Sequence, residues 1–317
     1  MGFQGLLGND SVISALRSAL ESGRTSHFYV ISGPKGAGKH TLARLLAAAL
    51  LCRQENKPCL TCPQCRKVMA GSHPDFITVD DPEKKTVPVD LIRQARADMF
   101  VRPNEGVRKI YLFPRGQDIA VPGQNALLKV LEEPPSYGVF LLLTENPHQL
   151  LPTVKSRCVE LKLRPLSQQL LTETLTREFP RLPAETIAAA AVRSGGWLGQ
   201  ARELLTEGTE LAPQTQALAQ ALAHRDSYGL THLLAGMDKL KRDALIPLLQ
   251  QWLQLVNDAL LQRSGVPAAS PEARLLSTNC SGGQLMMYAR HLQKSIDYAQ
   301  SNVSPAAICG WLQWALR

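Results

Sequence analysis

The 317-residue chain is poor in aromatics, which make up 5% of it, while Leu and Ala dominate. That balance favours a helix-rich architecture. No uninterrupted apolar run is long enough to cross a bilayer, and the first residues lack a charged stretch followed by an apolar one. These absences predict a cytoplasmic protein with neither span nor leader. In that compartment thiols stay reduced, so a tight cysteine cluster points to a metal rather than to disulfides. The chain also lacks internal repeats and low-complexity tails.

At 317 residues the chain exceeds one typical domain and predicts two or three. The formal charge is +8 with a pI of about 9.2. Such an excess fits a polyanionic neighbour such as nucleic acid, although net charge alone reports solubility and steering.

Asn9 or Asp10 is placed to cap a helix from Val12 to about Ser22. The apolar run Phe28 to Ile31 then leads into Gly33-Pro34-Lys35-Gly36-Ala37-Gly38-Lys39-His40 and on to a Leu/Ala-rich helix, which reads as strand, phosphate loop, helix. Glycines in such a loop let backbone N–H groups turn toward phosphate oxygens, and a lysine with the helix N-terminus adds positive potential. Gly33, Gly38 and Lys39 fill the GxxxxGK frame. The frame normally closes with a hydroxyl that binds magnesium, but His40 stands there and Thr41 comes one place late. Gly33, Gly36, Gly38, Lys39 and Thr41 are therefore the candidate residues of a residual nucleotide site.

Cys52, Cys59, Cys62 and Cys65 follow, in the pattern C-x6-C-x2-C-x2-C. Two-residue gaps form knuckles that aim both sulfurs at one point, so four thiolates at this spacing can close a tetrahedron around zinc. A closed set has no vacancy for substrate, so the Zn2+ it predicts is structural. Cys158, Cys280 and Cys309 are scattered and read as packing.

The missing acid matters most for mechanism. In phosphate-loop ATPases one strand ends in carboxylates that serve magnesium and activate water. Here the strand Lys109 to Phe113 ends in Pro114-Arg115, and Asp118 is the nearest carboxylate. A helix from Gln124 to Glu133 follows, stopped by Pro134-Pro135, then a strand from Val139 to Leu143 and a short one from Val159 to Leu161. Strands and helices alternate to this point, predicting a doubly wound parallel α/β sheet. Past residue 165 the strands stop. The expected organisation is 1–165 for the phosphate-loop domain with its cysteine module, 166–206 for a small helical lid and 207–317 for an all-α bundle.

The phosphate loop, the four-cysteine insertion, the run Ala126-Leu127-Leu128-Lys129-Val130-Leu131-Glu132-Glu133-Pro134-Pro135 and Ser156-Arg157-Cys158 occur in this order. In this they resemble the AAA+ clamp-loader family, over roughly the first half of the chain. The resemblance implies that the bundle is an oligomerisation collar. It also implies that Arg157 is an arginine finger reaching the γ-phosphate held by a neighbouring subunit. Gly199 stands where active relatives place a lid arginine. Together with His40 and Pro114-Arg115, it implies a non-hydrolysing member that works within a hetero-oligomer opening a sliding clamp around primed DNA.

The sequence leaves two alternatives open. One is an active ATPase subunit of the same loader, which needs an acid after the strand ending at Phe113. The other is a zinc-dependent nucleic-acid-binding module on an α/β scaffold. Lys84, Lys85, Arg93, Arg96, Arg102 and Arg108 are candidates for a DNA-facing surface and equally for a solvated one.

Overall fold

The computed structural model describes residues 2–206, 211–266, 270–301 and 303–316. Its elements run α1 (Asp10–Glu21), β1 (Phe28–Ser32), α2 (Lys39–Leu51), α3 (Pro63–Met69), β2 (Phe76–Thr78), α4 (Val89–Asp98), β3 (Lys109–Phe113), α5 (Val121–Glu132), β4 (Gly138–Thr144), α6 (Pro152–Lys155) and β5 (Val159–Lys162). Helices alone follow, α7 (Gln168–Glu178), α8 (Ala184–Arg193), α9 (Leu198–Thr206), α10 (Pro213–His224), α11 (Ser227–Met237), α12 (Arg242–Arg263), α13 (Pro271–Asn279), α14 (Gly282–Gln300) and α15 (Pro305–Ala315). The chain divides into two compact units, Met1–Leu171 with Gly196–Gln200, and Thr172–Gly195 with Ala201–Arg317. The boundary expected at 206/207 meets residues 207–210, which lie outside the described residues.

The first unit is built on a five-stranded parallel sheet in the order β2-β3-β4-β1-β5. Its three inner strands are buried along their whole length. This is why they read as unbroken apolar runs, because both sheet faces are covered by helices. Alternate residues serve the two faces. Tyr29, Ile31, Ile110, Leu112, Val139 and Leu141 pack with residues of α1, α2 and α3. Phe28, Val30, Tyr111, Phe113, Phe140 and Leu142 pack with residues of α4 and α5.

Helix α2 is apolar around its circumference, with Leu42, Ala43, Leu46, Ala47, Ala48, Ala49 and Leu51 fully buried. Alanine on so many sides lets strand and cysteine segment approach it closely. Asn9 occupies the N-cap position of α1, but its side chain makes no capping bond there. Its amide instead brackets the chain after β5, accepting from Arg164 N at 2.8 Å. Asp90 is of a residue type that caps helices, but it does not cap α4. Pro88 is the N-cap of α4, and Asp90 lies in the first turn, paired with Arg93 at 3.1 Å.

The second unit is all helical among the described residues. Trp252, Leu249 and Val256 of α12 form its centre with Leu218 of α10, Leu285 and Leu292 of α14 and Leu312 of α15. Burying each such side chain contributes about 1.5–3 kcal/mol. A buried ion pair, Arg193 to Asp258 at 2.8 Å, joins α8 to α12. The two glycines at 282 and 283 open α14, where Ser281 and Gln284 form a capping box across them.

Candidate functional site

The loop after β1 takes the conformation its glycines permit. Gly36 and Gly38 have φ of 79° and 92°, in the left-handed region that side chains rarely adopt. Gly33 N donates to Thr144 O at 3.2 Å, tying the loop to the carboxyl end of β4, where open α/β sheets place ligands. Lys39 is 9% exposed. Its ammonium donates to Gly33 O at 2.6 Å and Pro34 O at 2.9 Å and lies 3.6 Å from Glu145. Burial lowers its pKa, opposed by Glu145. His40 and Thr41 lie in the first turn of α2 with their outer atoms exposed, and partial burial of the His40 ring, then Arg44 and Lys39, keep the imidazole neutral to lower pH than usual.

The loop is covered from far along the sequence. Gly199 N donates to Gly36 O at 3.0 Å, and Gln200 Nε2 donates to Lys35 O at 2.9 Å. A Cβ on Gly199 would lie 2.5 Å from Gly36 Cα, and one on Gly36 would lie 2.6 Å from Gln200 N. The contact is made by two glycines because nothing larger fits. A larger residue at 199 would require the two segments to separate.

The end of β3 is organised by Arg115. Its guanidinium grips Asp80 at 2.7 and 3.0 Å and donates to the carbonyls of Asp81, Lys84 and Lys85. Asp118 lies 3.7 Å from it in a second ion pair. The strand thus ends in a cation whose partners, two carboxylates and three carbonyls, are already supplied. Of the basic residues with a possible DNA-facing role, Lys84 pairs with Asp81, Arg93 with Asp90, Arg96 donates to Ala126 O and Arg108 to Ser136 O.

Arg157 lies between α6 and β5 and is half-exposed. Nη1 donates to Thr153 O at 3.0 Å and to Ser156 Oγ at 3.2 Å, and Nη2 donates to Glu132 at 3.0 Å. Cys158, beside it, donates to Lys155 O, and burial raises its thiol pKa.

The four cysteines converge. Their sulfurs all lie within 4.8 Å of one another, with Cys52–Cys62 and Cys59–Cys65 at 4.0 Å. A tetrahedron of thiolates around one ion with metal–sulfur bonds of ~2.3 Å has edges of ~3.8 Å, so the set can hold a metal ion with little adjustment. Cys62 N donates to Cys59 Sγ and Cys65 N to Cys62 Sγ, at 3.3 and 3.4 Å. Burial holds the Cys52 and Cys65 thiols above their usual range, and Cys59 goes the other way. Burial raises the Cys59 pKa, but the donors from Thr61 and Cys62 outweigh it and bring it to about 6.

A neighbouring residue carries a structural role that the sequence pattern does not announce. Asp75 is fully buried and accepts from the backbone N–H groups of Asn104, Glu105 and Gly106 at 2.6, 2.9 and 2.7 Å. Burial would raise its pKa, and these donors lower it. The same region is tied to the cysteine module by Lys67–Glu105 at 2.6 Å and by His73, whose ring meets Gln64. The only sequence signal was an acid immediately before an edge strand.

A family model described as DNA polymerase III, delta subunit, matches residues 8–167. The Pseudomonas aeruginosa DNA polymerase III subunit delta' is 37% identical over 174 residues, 54% of this chain and 53% of that protein. DNA polymerase III subunit tau of Escherichia coli is 35% identical over 175 residues, 55% of this chain and 27% of that protein. The aligned region thus spans about half of the delta' relative and a smaller share of tau. A DNA polymerase III gamma subunit-related protein of Thermotoga maritima superposes with a TM-score of 0.49 at 16% identity, covering 95% of this chain and 99% of that one.

Proposed function

This chain belongs to the DNA polymerase III delta-subunit family matched over residues 8–167, a family of clamp-loader subunits, and on that premise we propose that it is a non-hydrolysing, delta-prime-type subunit. It works in trans, Arg157 completing an ATP site on a neighbouring ATPase subunit while its own loop hydrolyses nothing. The observation that carries this reading is Arg115 at the end of β3, held by Asp80 at 2.7 Å where a hydrolytic site needs a free acid. A guanidinium offers phosphate oxygens a planar fork of donors as charge develops during transfer. Arg157 is such a cation, half-exposed within the Ser156-Arg157-Cys158 motif.

In the same reading the chain acts in a DNA polymerase III assembly that loads a sliding clamp on primed DNA, and it joins the other loader subunits through its C-terminal collar. Tyr228 and Trp314, 81% and 74% exposed on α11 and α15, support a partner-binding role for that unit. Zn2+ held by Cys52, Cys59, Cys62 and Cys65 staples the segment between α2 and β2. Any ATP or ADP bound by Gly33, Gly36, Gly38, Lys39 and Thr41 is a structural ligand.

The matches to tau subunits favour a second reading, an active gamma/tau-like ATPase. Steady-state ATP turnover by the pure chain separates the two. The first reading expects none, and turnover abolished by Lys39→Ala would establish the second. Metal analysis of protein purified without added metal is expected to give one equivalent of zinc, and well under one would remove the zinc assignment.

A further inference from the structure

We propose that Glu132 is the positioning residue of Arg157, presenting its guanidinium in the orientation a neighbour's phosphate requires. This rests on the reading of Arg157 as a finger. Glu132 is the last residue of α5, whose Leu127, Val130 and Leu131 are buried in the sheet's covering layer, so its backbone is fixed. A carboxylate at a helix C-terminus faces the negative end of the macrodipole and is unfavourable there without a cation. Arg157 supplies that cation, with Nη2 donating to Glu132 Oε1 at 3.0 Å.

The opposite side of the guanidinium is held by the end of α6, through Thr153 O at 3.0 Å and Ser156 Oγ at 3.2 Å. Three of the five N–H donors of Arg157 are thereby engaged and two remain for an anion. A free arginine would have to give up its rotamer freedom on meeting the phosphate. One clamped from two sides meets it already ordered. The side chains are 37% and 52% exposed, and pairs so exposed contribute little to fold stability. A merely structural Glu132 would therefore leave almost no trace when removed, whereas a positioning Glu132 shows in turnover.

The test is ATP turnover by the loader reconstituted from this chain, its ATPase partner subunits, clamp and primed DNA, carrying Glu132→Ala, Glu132→Gln, Arg157→Ala or the double change to alanine. Glu132→Ala is expected to lower kcat roughly tenfold, with KM for ATP and the melting temperature of the chain unchanged. Glu132→Gln keeps an acceptor oxygen and is expected to restore most of the loss. The double variant should match Arg157→Ala, because positioning has no effect without the group positioned. If Arg157→Ala lowers kcat while Glu132→Ala stays within about twofold of wild type or raises it, Glu132 is not a positioning residue and the finger reading stands alone. If Arg157→Ala itself changes nothing, the finger reading fails and takes Glu132 with it.

Discussion

Two segments of this chain carry a cation in a motif associated with ATP, and they differ in what surrounds that cation. Lys39 is 9% exposed, with its ammonium on the carbonyls of Gly33 and Pro34 and beside Glu145. Arg157 has a 37% exposed side chain and keeps donors to spare. In the first the cation is engaged by its own loop, which Gly199 and Gln200 cover. In the second it remains presented. The residue type is alike in the two motifs, and the neighbours decide how many of its donors are already engaged.

The sharpest way to break this contrast is to substitute the two cations in the reconstituted loader. Arg157→Ala is expected to lower DNA-stimulated ATP turnover at least about tenfold, and Lys39→Ala to leave it unchanged. Equal losses would show that both motifs serve ATP.

Equilibrium urea unfolding sharpens the same contrast from the structural side. Gly199→Ala places a methyl group 2.5 Å from Gly36 Cα and should cost about 1–3 kcal/mol. A neutral result would mean that the phosphate loop is not closed in this way. Lys39→Ala leaves two carbonyls without their donor and should cost about 1 kcal/mol. For Arg157→Ala the same measurement should stay within about 0.5 kcal/mol of wild type, as for an exposed pair.

The smallest effect concerns His40. Its folded-state pKa is lowered by burial, Arg44 and Lys39, so the unfolded chain takes up its proton first as pH falls. The His40 contribution is full above about pH 6.5 and is lost as pH drops from there through the folded-state pKa. His40→Gln should therefore flatten part of the stability loss between neutral and mildly acid pH. Arg157→Ala should leave that slope unaltered, and a slope unchanged in both variants would place the titration elsewhere, His73 being the other imidazole with a lowered pKa.

Much of the fold was legible because its signals are local. The buried strands at 28–32, 109–113 and 138–144 read as apolar runs, since covering both faces of a parallel sheet leaves polar residues only at the strand ends, Ser32, Lys109 and Thr144. The four cysteines read as a metal set because C-x2-C knuckles fix their own geometry within a few residues, and their sulfurs do meet. Asn9 and Asp90 were legible only as residue types that cap helices. Competing partners, Arg164 for one and Arg93 for the other, decided what they bond.

What escaped the sequence depends on partners distant along the chain. An aspartate before an edge strand gives no hint that Asp75 gathers three backbone N–H groups from residues 104–106. Likewise Glu132 was visible inside a family run, but its contact with Arg157 required α5 and α6 to end side by side.

By itself the sequence determined the elements, their alternation, the cysteine geometry and the absence of an acid after Phe113, because backbone propensity, apolar period and ligand spacing act over a few residues. Only the tertiary structure decided that Gly36 and Gly199 touch, that the Lys39 ammonium is retained by its own loop, and that Arg157 stands half-free against Glu132. Those outcomes depend on desolvation and close approach between distant segments, which no spacing within one segment encodes.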